Sequence, residues 1–192
     1  MTWINKNGWY TDTVIRGFYT QMDVTNYSAQ GLPITYDADN WAVAGSFEFG
    51  RRTALYQNGR NGFVVEPKAQ VVYTYMPGAD HKTSLGQKIK YDDTQSLVTR
   101  AAIMAAYRRT FANGMALEPY VQVGVAYEWL GKTDVEFDDV KFTSDVGGAT
   151  FEGAIGLNAR LSRGWHLYGD VNLEQGAVYK SWGGHLGLRY NF

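Results

Sequence analysis

His81, His166 and His185 are the side chains of this sequence best suited to carry a proton or bind a metal, and Glu66, Glu118, Glu152 and Asp170 are the carboxylates that could join them. Acid–base chemistry needs a base oriented by a neighbour, and a metal site needs three or four converging ligands. The histidines are isolated and lack that spacing, so they read as histidines of a polar interior or of loops. The acidic run Asp134, Glu136, Asp138 and Asp139 alternates carboxylates as a calcium loop does, but lacks the glycine and the closing bidentate glutamate of an EF-hand. No GxxxxGK(S/T) phosphate cradle occurs, and the absence of cysteine removes thiol nucleophiles and thiolate metal sites together. No catalytic, cofactor-binding or metal-binding residue is assigned. Eighteen basic against nineteen acidic residues leave a net charge of −1, which gives no field that would draw the chain onto nucleic acid.

With chemistry unassigned, the elements carry the information. At 192 residues, with 22 glycines, 14 tyrosines and only 4 prolines, the composition favours strands within one domain spanning 1–192. No stretch approaches the roughly 18 apolar residues of a membrane-spanning helix. A transmembrane β-strand needs only about 10 residues with alternate side chains apolar, which is compatible with the mean hydropathy of −0.33. Alternation with period two recurs eight times, predicting strands over Gly8–Gln21, Trp41–Arg52, Phe63–Tyr75, Ser96–Phe111, Leu117–Trp129, Thr150–Leu161, Trp165–Gln175 and Ser181–Phe192.

The expected connections alternate in length. Ala112-Asn113-Gly114-Met115, Ser162-Arg163-Gly164-Trp165 and the region of Asn61-Gly62-Phe63 are short and glycine-containing, whereas 23–40, 76–94 and 131–148 read as long polar loops. Short turns on one rim and long loops on the other are the pattern of bacterial outer-membrane barrels, with short turns periplasmic and long loops extracellular. Lys6-Asn7-Gly8-Trp9 carries the same turn signature, so Met1–Asn5 is expected to hold the remnant of a preceding strand, as though the chain began inside a barrel.

Splitting each strand into two faces separates an uncharged wall from a polar one. The uncharged wall gathers Trp9, Phe63, Phe111, Trp165, Tyr190 and Phe192 at the short-turn rim, and Trp41, Tyr73, Tyr75, Tyr127, Trp129 and Trp182 at the long-loop rim, with aliphatic and small residues between. Two aromatic belts around an aliphatic band are expected where rings sit at the two membrane interfaces. Asp12, Arg16, Glu48, Glu66, Arg100, Glu118, Glu128, Glu152, Arg160, Asp170 and Arg189 fall on the other wall and are expected to line a wet lumen as charge pairs that order the barrel. Arg51 and Arg109 are exceptions, on the apolar wall near strand ends, where they could snorkel. Pro67 and Pro119 fall near the short-turn ends of their strands.

The ending SWGGHLGLRYNF places Trp182, Leu186, Leu188, Tyr190 and Phe192 on one face. An amphipathic last strand closing on Phe is similar to the signal that the barrel assembly machinery reads by strand pairing. Together with Gly8-Trp9-Tyr10-Thr11-Asp12, Val65-Glu66-Pro67-Lys68-Ala69-Gln70, Ser96-Leu97-Val98-Thr99-Arg100, Leu117-Glu118-Pro119-Tyr120-Val121 and Leu167-Tyr168-Gly169-Asp170, in this order, it resembles the translocator domain of pertactin/AIDA-type autotransporters. The resemblance implies an all-β, antiparallel transmembrane barrel of about twelve strands in the Gram-negative outer membrane. Such a barrel anchors and helps export a passenger polypeptide (type V secretion), which reaches it through an α-helical linker. Eight strands and no helix are found here, so the expectation is a non-enzymatic, C-terminal portion of that domain, in contact with outer-membrane lipid and the assembly machinery. The alternatives are a self-closed eight-stranded outer-membrane protein, a truncated substrate held on the assembly machinery, and an outer-membrane enzyme.

Overall fold

The computed structural model describes residues 1–161 and 164–191. Fourteen strands occur among them: β1 (Thr2–Ile4), β2 (Trp9–Tyr27), β3 (Pro33–Arg51), β4 (Thr53–Asn58), β5 (Asn61–Met76), β6 (Ala79–Lys82), β7 (Lys88–Tyr91), β8 (Thr94–Thr110), β9 (Ala116–Glu128), β10 (Lys132–Phe137), β11 (Val140–Asp145), β12 (Gly148–Arg160), β13 (Trp165–Gly176) and β14 (Lys180–Tyr190). One antiparallel sheet runs in the order β1-β2-β3-β5-β8-β9-β12-β13-β14, with β4 also on β5. The eight strands expected from alternation are β2, β3, β5, β8, β9, β12, β13 and β14.

Three connections differ from the sequence expectation. The stretch 23–40 is no loose loop: β2 and β3 stay paired from Trp9↔Arg51 out to Tyr27↔Pro33 and turn through Ser28–Leu32. Thr25, Thr35, Tyr27 and Tyr36 suit an extended backbone, and along residues 33–40 exposed positions such as Thr35, Asp37 and Asp39 alternate with half-buried Ile34, Tyr36 and Ala38. The other two expected loops hold strands that associate as a second sheet, β11-β10-β7-β6. Their strands are only four to six residues long, which period-two reading over eight or more residues does not register, and β7 pairs non-locally with β10 to join the two hairpins. This sheet is tied to the β2–β3 hairpin where the Ser84 amide donates to the Thr35 carbonyl at 2.8 Å and the Thr35 amide to Ser84 Oγ at 3.0 Å.

The turn expected around Asn61–Phe63 lies just upstream, where Asn58 pairs with Asn61 across Gly59-Arg60. Gly50↔Lys68 and Thr53↔Val65 belong to one register, so β4 continues β3. The interruption at Arg51 and Arg52 faces Pro67 and Glu66, and the proline has no N–H to donate to the ladder. A short strand at the start, β1, pairs Thr2↔Asp12 and Ile4↔Tyr10 across a turn in which Gly8 takes φ +81°. A Cβ there would lie 2.2 Å from the Arg52 carbonyl oxygen, so only glycine closes this turn against the β3–β4 junction.

The main sheet has no conventional core. Among the described residues the buried apolar side chains are Ile89, Met104, Ala106, Ala116, Ala126 and Ala159, and no large side chain is fully buried. Total accessible surface is 13197 Å², against about 9,200 Å² for a water-soluble monomer of this mass. A curved sheet with both faces accessible accounts for the excess, and its burial must come from a medium other than a second layer of this chain.

Candidate functional site

The inward wall is a lattice of charge-assisted hydrogen bonds that reach across intervening strands. Arg100 of β8 grips Glu152 of β12 through Nε, at 2.8 Å and 2.7 Å to the two carboxylate oxygens, while Nη1 donates to Gln70 Oε1 of β5 at 2.5 Å. The pair spans β9, where Ala126 faces Arg100 and Gly124 faces Glu152, so the small residues of β9 leave the path open. Arg52, at the β3–β4 junction, donates to Glu66 Oε2 of β5 at 3.2 Å and to Glu118 Oε1 of β9 at 2.6 Å. The Tyr10 hydroxyl lies 2.9 Å from an oxygen of both Glu48 and Glu66. Its single proton serves one carboxylate at a time, and the arrangement joins β2, β3 and β5.

Tyrosine reaches these partners over glycine. Tyr10 faces Gly50, Tyr120 faces Gly156 and Tyr168 faces Gly187. A Cβ on each glycine would sit 2.6, 2.3 and 2.1 Å from the facing ring. Each ring lies flat across a strand that presents no side chain, and Tyr120 thereby meets Asp170 one strand further on.

The expected lumen residues divide accordingly. Glu66, Glu118, Arg100 and Glu152 are ion-paired, and Asp170 Oδ2 lies within hydrogen-bond distance of His185 Nδ1, at 3.2 Å. Asp12 accepts from Thr2 Oγ1 at 2.5 Å, Glu48 from Tyr10, and Glu128 from Ser96 Oγ and the amides of Leu97 and Leu130 at the long-loop rim. Arg16 lines a cavity with Arg100, and Arg160 and Arg189 line another, of about 350 Å³, with Arg108 and Glu118. Arg52 and the three tyrosines join this wall without having been among the expected lumen residues. Arg52 could have been found by parity with Glu48, but the tyrosine platforms need the interstrand register.

The other histidines sit apart: His81 packs between Tyr36 and Tyr91 in the loop sheet, and His166 Nε2 lies 3.1 Å from Asn191 Nδ2. No group of three or more His, Asp or Glu able to hold a metal ion occurs among the described residues.

The outward wall is apolar and open. Ile155 of β12 is 71% exposed, and Trp182 and Leu186 of β14 are 80% and 83% exposed, beside the exposed Leu188 and Tyr190. Phe192 lies outside the described residues. At the long-loop rim Tyr127 and Trp129 rings lie 4.5 Å apart and Trp129 Nε1 donates to Thr99 at 2.9 Å, while at the short-turn rim Trp165 lies 4.8 Å from Tyr190. Rings with an apolar body and a hydrogen-bonding edge suit an interface between hydrocarbon and water.

The acidic run falls in the loop sheet. Asp134 of β10 accepts from Lys141 Nζ at 2.8 Å and from the Thr143 hydroxyl, both on β11, and these bonds hold its carboxyl below the ordinary 3.8. A carboxyl with a lowered folded pKa stabilises the fold at pH above its ordinary value and loses that contribution as pH falls through the lowered one. The protection factors of the β10 and β11 amides in detergent, with exchange corrected for its intrinsic pH dependence, are expected to fall as pH drops below about 4, while those of β8, β9 and β12 hold. Asp134→Asn should remove the pH dependence.

The profile of the Autotransporter beta-domain family matches residues 1–172. The chain is 24% identical over 192 residues to the pertactin autotransporter of Bordetella bronchiseptica, covering all of this chain and 20% of that protein. It is 28% identical to the BrkA autotransporter of Bordetella pertussis, covering 99% of this chain and 18% of that protein. It thus spans about a fifth of the length of these relatives. The crystal structure of the beta domain of the Bordetella autotransporter BrkA superimposes with a TM-score of 0.77 at 25% identity, over 100% of this chain and 70% of that one.

Proposed function

This chain belongs to the Autotransporter beta-domain family, whose barrels lie in the Gram-negative outer membrane, and on that premise we propose that it is part of a translocator barrel that anchors a passenger polypeptide and helps it cross. The observation that carries the reading is the division of one antiparallel sheet into an outward apolar wall with aromatic rims and an inward wall of Arg–carboxylate pairs. In a bilayer the outward wall meets lipid and the inward wall a wet passage. Outer-membrane lipid is therefore one partner. The function is physical, and no catalytic step is invoked.

The ladder order leaves the outer edge of β14 at one end of the sheet, and at the other end the outer edge of β1 and of the stretch of β2 beyond Thr13, without a partner strand among the described residues. Further strands of the same domain close the barrel between these edges; the BrkA beta domain, of which this chain covers 70%, supports that reading. Before closure, the edge of β14, with Trp182, Leu186, Leu188 and Tyr190 on its outward face, is the surface through which the barrel assembly machinery engages the chain by strand addition. Phe192 would complete that signal.

In this reading the β6–β7 and β10–β11 sheet lies outside the cell and the short turns lie in the periplasm, as the short-turn and long-loop asymmetry of outer-membrane barrels supports. The chain has no cysteine, so single cysteines report topology cleanly. Val140→Cys is expected to react with a membrane-impermeant maleimide on intact cells and Asn113→Cys only after the outer membrane is breached; the opposite pattern inverts the barrel. Export is tested in the full-length protein: a passenger protease-accessible on intact cells supports the reading, and a passenger retained in the periplasm behind a folded barrel overturns it.

A further inference from the structure

Two charges interrupt the outward wall, and both are arginines seated on aromatic rings beside short turns. Between the aromatic rims, the outward positions of the main sheet's long strands carry only Arg51 and Arg109 among the charged residue types. The Arg51 guanidinium lies 5.2 Å from the centroid of Trp9, directly opposite it on β2, and Trp9 in turn stacks on Phe49 at 4.9 Å. The Arg109 guanidinium lies 5.2 Å from the Phe111 ring. Neither has a carboxylate partner among the described residues, whereas the inward-facing Arg52 and Arg100 do.

A ring under one face of a guanidinium neutralises none of its charge and engages none of its N–H edge. It fixes the plane and leaves the in-plane donor fork open outward. Such a fork matches the paired oxygens of a phosphodiester, and on an uncharged wall an unpaired cation is tolerated only where an anion is supplied by the surroundings. We propose that Arg51 and Arg109 are two headgroup-phosphate sites, each binding a glycerophospholipid of the leaflet that bathes the short turns, with the aromatic ring of each site against the glycerol and upper acyl region. This rests on the outward wall facing lipid. Charge complementarity favours a phospholipid: the wall offers cations at this rim and no carboxylate beside them, so a zwitterionic or anionic headgroup is accepted through its phosphate. The pair would also set the depth at which the short-turn rim stops in the membrane.

The test is retention of phosphatidylglycerol on the refolded complete barrel domain that contains this chain, counted by native mass spectrometry as detergent is stripped. The unaltered protein is expected to keep two tightly held lipids, with Arg51→Gln and Arg109→Gln each losing about one and the double variant both. Arg60→Gln, which removes a cation in the β4–β5 turn with no ring beneath it, should lose none. Inorganic phosphate added at equal concentration should displace nothing, because the site needs the ring and acyl contacts as well. Unchanged retention in the double variant, or equal loss from Arg60→Gln, overturns the proposal. Flotation with phosphatidylglycerol vesicles separates the two readings: a folded chain that does not float removes the lipid-facing wall itself, whereas flotation with unchanged lipid retention removes only the headgroup sites. Arg51→Lys and Arg109→Lys keep the charge and guard against misfolding; they should fold and still hold lipid more weakly than arginine.

Discussion

Ile155→Lys is expected to lower the stability of the bilayer-inserted barrel by about 2–4 kcal/mol, the cost of a cation near the membrane midplane. Ile155 sits in the middle of β12, points outward and is 71% exposed with no partner to lose. In water the same change would be an ordinary surface substitution, within about 0.5 kcal/mol. The wall is therefore probed by the sign and size of one number. The control is Ser46→Glu on the inward face of β3, whose side chain enters the cavity lined by Arg16 and Arg100; a carboxylate there meets two cations and should stay within about 0.5 kcal/mol. Urea-induced unfolding from vesicles, followed by tryptophan fluorescence, measures both. Equal effects at the two positions would mean that the two faces meet the same medium.

Strand identity and facing were legible because every consequence of period-two alternation is local. Trp9, Trp129 and Trp182 fall outward, and Glu66, Glu118 and Glu152 inward, whatever the strands pair with. Pairing partners are a different matter. Arg100 finds Glu152 across a distance of 52 residues, and nothing near either residue names the other. Seeing that pair requires the β8–β9 and β9–β12 registers, and also that Ala126 and Gly124 are small enough to be crossed. The stretch 23–40 was misjudged for a related reason. Its polar composition predicts a loop, yet β3 keeps alternating exposed and half-buried positions from Pro33 to Asn40, with Thr35, Asp37 and Asp39 on the face that is apolar further along the strand.

The medium also explains why the chain is so poor in buried large side chains. A soluble sheet packs its apolar face on a second layer, as a core of interlocked side chains. Here the aliphatic face is left to a fluid, so shape complementarity is demanded only on the lumen side. The specific contacts accordingly concentrate there: Arg52 with two glutamates, Arg100 with Glu152 and Gln70, and three tyrosines over three glycines. Lipid-facing residues specify burial, and lumen residues specify the curvature of the sheet.

That division predicts where a small substitution does the most damage. Gly156→Val is expected to cost about 1–3 kcal/mol through overpacking, although glycine is a poor strand former and valine a good one. By propensity alone the change should stabilise β12. Its Cβ, however, would stand 2.3 Å from Tyr120 Cζ, and the ring could clear it only by lifting away from β12 and giving up Asp170. Asp170 is also the partner of His185, so the disturbance reaches the β13–β14 hairpin that carries the terminal strand. Removing the ring removes the conflict: Tyr120→Ala takes away the three atoms nearest the added Cβ, and the double variant should cost less than the sum of the two single ones by about 0.5–3 kcal/mol, the range for residues in direct contact. The four proteins form a cycle measurable by urea unfolding in vesicles. Additivity within about 0.5 kcal/mol would show that glycine is required at 156 for its backbone and not for the ring that lies over it.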